Sequence, residues 1–81
     1  MKIKPKKNLF WFLKDGVNLD LSDTPTLEMF VQHVISYGGV EDIKFLLSHL
    51  HGDQLKTAFL NIKRFLRWEV KVFWEDYFEN N

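Results

Sequence analysis

The clearest helical signals lie in residues 22–53, which read SDTPTLEMFVQHVISYGGVEDIKFLLSHLHGD. Pro25 suits the first position of a helix, where its missing N–H costs nothing, and Thr24 then becomes the N-cap. Apolar residues follow at helical spacing: Leu27, Phe30, Val31, Val34 and Tyr37. Gly38-Gly39 predicts the end of this helix, because glycine adopts the left-handed C-terminal conformation without steric cost.

Two further helices are predicted after this glycine pair. Glu41 and Asp42 lie in the first turn of the second helix, where acidic side chains favour the positive end of the helix dipole. Its apolar stripe is Ile43, Leu46, Leu47 and Leu50. Gly52 ends the second helix, and Asp53 is a candidate cap for the third. The apolar stripe of the third helix is Leu55, Ala58, Phe59 and Ile62.

The last third of the chain allows three interpretations. Residues 54–79 can form one long helix, or two helices with a bend near residues 64–67, because no Gly, Pro or Ser interrupts residues 62–78. A strand is the third option, since apolar and polar residues alternate after residue 67, but Phe73 breaks the alternation. We favour helix. The fold expected is all-α, a small bundle of three to four short helices of the αα-hairpin type.

Composition limits both the architecture and the function. The chain of 81 residues has 11 basic and 11 acidic side chains, which excludes a uniformly basic nucleic-acid binder. Its many aromatic residues exclude a disordered tail, and the absence of cysteine excludes disulfides, a thiol nucleophile and a Cys-based zinc site. Residues 1–8 are expected to form a basic flexible arm, and residues 9–81 a single helical domain.

No targeting or membrane segment is evident. The apolar run of residues 9–13 is shorter than the roughly 7–15 residues of a signal-peptide core. No stretch approaches the roughly 20 apolar residues that span a bilayer. We therefore expect a cytoplasmic protein that has no contact with a membrane.

Several short motifs are spread over residues 9–78: Phe10-Trp11, Val34–Gly38, Glu41-Asp42, Phe45–Leu47, Gly52 and Phe73-Trp74. In this order they resemble a small prokaryotic family of all-helical antitoxins, which occur beside AbiEii-like nucleotidyltransferase toxins. The resemblance implies a non-enzymatic protein that binds and neutralises such a toxin. Two positions depart from the family pattern, which tends to have Arg in place of His33 and a polar, turn-like stretch in place of residues 64–67.

Aromatic side chains are the main candidates for contact with a protein partner. A bundle of 81 residues can hide only part of thirteen large rings. The candidate partner-binding residues are Phe10, Trp11, Trp68, Phe73 and Trp74, and each of them could equally belong to the core. A homodimer formed through the same rings is a further option.

Basic residues at 56–71 support an alternative function. One continuous helix would align Lys56, Lys63, Arg67 and Lys71, with Arg64 beside them. Together with Trp68, these side chains could bind phosphates and stack a base, as in a small nucleic-acid-binding protein. The less specific interpretation is a solvated helix face of mixed charge.

Catalytic and metal-binding motifs are weak. His49 and His51 with Asp53 could supply metal ligands, but residues two apart face different sides of a helix and no fourth ligand is evident. No Ser has a His and an acid evidently placed around it, and no glycine-rich phosphate loop is present. The sequence therefore predicts no enzyme, no cofactor and no metal site.

Overall fold

The structure is a computed structural model that describes residues 1–80. Its elements are β1 (Lys2–Ile3), β2 (Leu19–Asp20), α1 (Thr24–Tyr37), α2 (Val40–His49), α3 (Gly52–Ile62), a 3-10 turn (Lys63–Phe65) and α4 (Trp68–Asn80). The predicted small all-α bundle is confirmed. A two-stranded antiparallel sheet, which the sequence did not signal, joins β1 to β2.

The start of α1 differs by one residue from the sequence prediction. Asp23, and not Thr24, is the N-cap, and Pro25 lies in the first turn. The Asp23 carboxylate accepts hydrogen bonds from the backbone N–H of Thr26 at 3.1 Å and from its hydroxyl at 2.6 Å. One side chain thus satisfies a backbone donor that the first helical turn leaves without a partner.

The end of α1 needs glycine for a different reason from the one predicted. Gly38 has φ −74° and ψ 158°, which is extended and not left-handed. A Cβ atom on Gly38 would lie 2.6 Å from the carbonyl oxygen of Val34 and 2.9 Å from the Asp42 Cβ. Glycine is therefore required because the Val34 carbonyl of α1 and the Asp42 side chain of α2 both lie too close for a Cβ atom.

The last third of the chain forms two helices, so the strand interpretation was wrong. α3 ends at Ile62, the 3-10 turn follows, and α4 begins at Trp68. The break falls at residues 63–67, close to the bend considered from the sequence. These residues contain no Gly or Pro to signal a turn.

The core lies mainly between α1 and α3. Its most deeply buried side chains include Val31 and Val34 of α1 and Leu55 and Phe59 of α3. Leu46 is the buried residue of α2. α4 buries only Trp74 fully, while Phe78 is half-buried with its ring centroid 5.2 Å from that of Phe59.

The N-terminal segment, expected as a flexible arm over residues 1–8, lies against the bundle. Lys2 pairs with Asp20 and Ile3 with Leu19 in the small sheet. Two ion pairs follow, from Lys6 to Asp42 at 3.1 Å and from Lys7 to Asp15 at 2.7 Å. The strand pairing and the two ion pairs together hold residues 1–8 against the rest of the chain, and the aromatic residues 10–12 follow directly.

Candidate functional site

A cluster of aromatic rings surrounds His33 on the outer side of α1. The loop between β1 and β2 brings Trp11 and Phe12 to this histidine, with ring centroids 5.5 and 5.0 Å from its own. The ring centroid of Tyr37, one helical turn after His33, lies 5.0 Å from that of the histidine. Residues four apart on a helix share a face, which explains why this pair meets.

His33 also fixes the position of the loop. Its Nε2 atom donates a hydrogen bond to the carbonyl oxygen of Leu9, which requires a proton on Nε2 because a carbonyl oxygen can only accept. Below it, the buried Phe10 ring lies 4.7 Å from His33 and stacks on Phe30 at 5.4 Å. The loop is thus attached to α1 by one hydrogen bond and by one anchored ring.

The 3-10 turn extends the cluster toward the C-terminal half of the chain. Phe65 and Arg67 line a shallow pocket of about 330 Å³ together with His33 and Tyr37. The Arg64 guanidinium lies 4.8 Å from the centre of the Phe65 ring, which is a cation–π distance. We call this surface the aromatic face, and its members are Trp11, Phe12, His33, Tyr37, Phe65, Arg64 and Arg67.

The rings of the aromatic face remain open to solvent. Trp11 is 66% exposed, Tyr37 is 68% exposed and Phe65 is 59% exposed. Aromatic residues and arginine are the types that most often carry the binding energy of protein interfaces. Within residues 1–80, neither Arg64 nor Arg67 forms an ion pair with a carboxylate. The face therefore combines apolar area with uncompensated positive charge.

The five predicted partner-binding residues do not form one surface. Phe10 and Trp74 are core residues, at 2% and 4% exposure. Trp11 belongs to the aromatic face. Trp68 and Phe73 are exposed on α4, and in the described part of the chain neither ring contacts a ring of that face.

The predicted basic stripe is divided by the 3-10 turn. Lys63 forms an ion pair with Glu75 at 3.3 Å, and Lys56 lines a groove with Glu75 and Glu79. Acidic side chains of α4 thus lie beside these two lysines. Arg64 and Arg67 belong to the aromatic face instead, and Lys71 lies on α4. The single aligned stripe depended on one continuous helix, which the chain does not form.

A cavity of about 360 Å³ lies beneath the N-terminal segment. Phe10, Phe30 and Phe45 contribute to its walls, and the ion pair between Lys6 and Asp42 lies at its edge. Burial alone would raise the pKa of Asp42, but a hydrogen bond from the Gly39 N–H at 2.9 Å and the Lys6 ammonium outweigh it. The pKa of Asp42 is therefore lower than its ordinary value.

His49 packs against Phe45 of its own helix, α2. His49 Nδ1 lies 3.1 Å from the carbonyl oxygen of Phe45, and the two rings stack at 4.1 Å. Over residues 1–80, no group of three or more His, Cys, Asp or Glu side chains is placed to hold a metal ion. None of the helices in this range is both long and apolar enough to cross a bilayer.

Comparisons of the chain with protein families, with curated proteins and with solved structures return no match. The functional argument therefore depends on the surfaces of the molecule itself. Four members of the aromatic face, Phe12, His33, Tyr37 and Phe65, were not among the predicted site residues. The one local signal for them is the spacing of four between His33 and Tyr37; the rest are brought together by the tertiary fold.

Proposed function

We propose that the chain is a non-enzymatic interaction module of the prokaryotic cytoplasm, which binds a nucleotidyltransferase-type toxin and neutralises it as an antitoxin. The sequence resemblance supports the class of partner. The observation that carries the proposal is the aromatic face, where large exposed rings are held by His33 and flanked by two arginines.

The side chains of the aromatic face indicate which kind of toxin surface it would bind. Trp11 and Tyr37 offer rigid, largely apolar rings that lose little conformational entropy when they are covered. Arg64 and Arg67 favour a partner that carries carboxylates around an apolar depression, because complementary charge raises the association rate and the specificity. The toxin surface in question would thus be an acidic rim around an apolar site.

The test is co-expression of the tagged chain with a nucleotidyltransferase encoded beside its gene. We expect the two proteins to co-purify at moderate salt and growth inhibition by the toxin to be relieved. Trp11→Ala and Tyr37→Ala should each weaken binding by about 2 kcal/mol, roughly thirtyfold in Kd, if these rings are interface hot spots.

Leu60→Ala is the matched control, because Leu60 is about as exposed as the tested rings but lies outside the aromatic face. This variant should neutralise the toxin as the unmodified chain does. Full neutralisation by a Trp11→Ala, Tyr37→Ala double variant that is still folded would contradict the use of this face. Failure of the toxin to co-purify would contradict the proposed partner.

Binding of nucleic acid is the second candidate function. The observation that favours it is the free pair Arg64 and Arg67 next to the exposed Phe65, since phosphates and bases use the same side-chain types. Affinity should then fall steeply as salt rises, which is not expected of an aromatic protein interface. The triple variant Lys63→Ala, Arg64→Ala, Arg67→Ala should no longer shift DNA or RNA in a gel, and a normal shift would exclude this function.

A further inference from the structure

A second apolar surface lies between α2 and α4, separate from the aromatic face. It is a groove of about 570 Å³, with Val40 and Ile43 on the α2 wall and Val70 and Phe73 on the α4 wall. Ile35 and the backbone of Gly38-Gly39 contribute to its lining at the end of α1. An apolar groove of this size is a candidate for contact with another macromolecule.

The groove exposes side chains that water solvates poorly. Val40 is 71% exposed and Phe73 is 62% exposed, on opposite walls. Leu47 follows Ile43 by four residues on α2 and is also exposed. The apolar surface of α2 therefore continues beyond the groove.

Charge on the two walls indicates what covers the groove. The charged residues that line the groove are Lys44 on the α2 wall and Glu69 on the α4 wall. Lys44 also forms a long, exposed ion pair of 3.8 Å with Glu41 of its own helix. A two-fold axis through the groove brings the α2 wall of one copy against the α4 wall of the other. Each Lys44 then meets a Glu69 of the other copy, twice in one dimer, so the surface complements itself.

Shape agrees with the same arrangement. Phe73 is largely exposed at the α4 wall, while glycine backbone without side chains forms part of the lining contributed by the end of α1. A Cβ atom placed on Gly39 would have no neighbour closer than 3.9 Å, so there is open space at this position. A ring from a second copy can enter there while the first copy's Phe73 enters the groove of the second.

We infer that the chain forms a symmetric homodimer through the α2–α4 groove, with exchanged Phe73 rings and reciprocal contacts between Lys44 and Glu69. This inference does not depend on the proposed function. The aromatic face lies outside the groove, so the dimer would present two copies of it.

The test is the mass of the full chain in solution, measured by sedimentation over a concentration series up to near-millimolar. We expect twice the mass of the chain, and a mass that stays monomeric throughout would overturn the inference. Lys44→Glu and Glu69→Lys should each weaken the dimer at least about tenfold, because each reversal opposes like charges at two sites.

Mixing the two variants distinguishes the loss of the reciprocal contacts between Lys44 and Glu69 from a general loss of folding. In a mixed pair, the Lys44→Glu chain carries two acids and the Glu69→Lys chain carries two bases, so both contacts form again. We therefore expect the mixture to dimerise more tightly than either variant does alone. The double variant within one chain should also recover the dimer.

Two further variants complete the design. Phe73→Ala should give a monomer with unchanged helical circular dichroism, since its ring is mostly exposed in the single chain. Lys56→Glu is the charge-reversal control, because Lys56 is exposed outside the groove, and it should leave the dimer intact. A dimer that survives Phe73→Ala and both charge reversals would place the interface elsewhere and overturn the inference.

Discussion

The pair α1–α3 and the helix α4 differ sharply in how much of each helix is buried. α1 buries five of its fourteen residues and α3 four of its eleven, whereas α4 buries one of thirteen. The apolar side chains of α1 and α3 are thus mainly used to hold the bundle together. Those of α4 largely remain at the surface, where Trp68, Val72 and Phe73 are available for other contacts. Stability therefore depends mainly on α1 and α3, while α4 keeps most of its apolar side chains at the surface.

The strongest test of this difference is Phe59→Ala. Phe59 is 1% exposed on α3, so its removal leaves a cavity in the centre of the core. We expect the free energy of unfolding to fall by about 3–5 kcal/mol. Urea titration followed by circular dichroism measures this loss, with Leu60→Ala on the exposed side of α3 as the control. A loss below about 1 kcal/mol would contradict the assignment of the core.

Trp74→Ala tests whether α4 is a separate unit. The variant should lose less stability than Phe59→Ala, about 2–3 kcal/mol, because α4 can detach and the loss is limited by the free energy of its docking. Hydrogen exchange gives a sharper readout, since amides of α4 should lose protection while those of α1 and α3 keep theirs. An even loss of protection over all helices would show that the two regions unfold together.

Asp23→Ala tests the start of α1. Removal of the carboxylate leaves the Thr26 N–H without its acceptor, and we expect a loss of about 1 kcal/mol. Thr24→Ala is the matched control, because the sequence favours Thr24 as the cap while the structure gives that role to Asp23. Thermal unfolding of both variants distinguishes the two positions, and a larger effect of Thr24→Ala would favour the sequence interpretation.

The smallest expected effect concerns pH and the ion pair that attaches the N-terminal segment to α2. The pKa of Asp42 is lower in the folded chain than its ordinary value of 3.8, so its carboxylate stabilises the fold above that pH. This contribution is lost as the pH falls below 3.8 and through the lower pKa of the folded state. Thermal unfolding of Asp42→Asn should therefore show a shallower decline in acid than the unmodified chain. Asp53→Asn is the control for removal of an exposed carboxylate, and an equal change in both would contradict the role of Asp42.

Helix positions were predictable because they depend on local spacing. The stripes that begin at Leu27, Ile43 and Leu55 each place apolar residues three or four apart, and all three helices form. The turn at residues 63–67 was considered but not signalled, because it contains no Gly or Pro. It depends instead on tertiary contacts, such as the packing of Trp74 and Phe78 beside Phe59.

The aromatic face was less predictable than the helices. Its rings come from the loop between the strands, from one side of α1 and from the 3-10 turn, so Trp11 and Phe65 are distant in sequence. Which aromatic residues are core and which are surface also depends on the fold. Phe10 and Trp11 are neighbours whose rings both contact His33, yet Phe10 is buried and Trp11 is exposed.

The pairing of Lys2 with Asp20 makes the segment between them a closed loop whose two ends meet. Trp11 and Phe12 are therefore displayed on a loop and not on a free end, and the ordering of these rings is accomplished during folding instead of during binding. Because the chain contains no cysteine, a disulfide introduced between the two ends of this loop would have no competing thiols. Cysteines introduced at positions 2 and 20 would form a disulfide that closes the loop covalently. Reduction of this disulfide would then show how much the closure restricts the motion of Trp11 and Phe12.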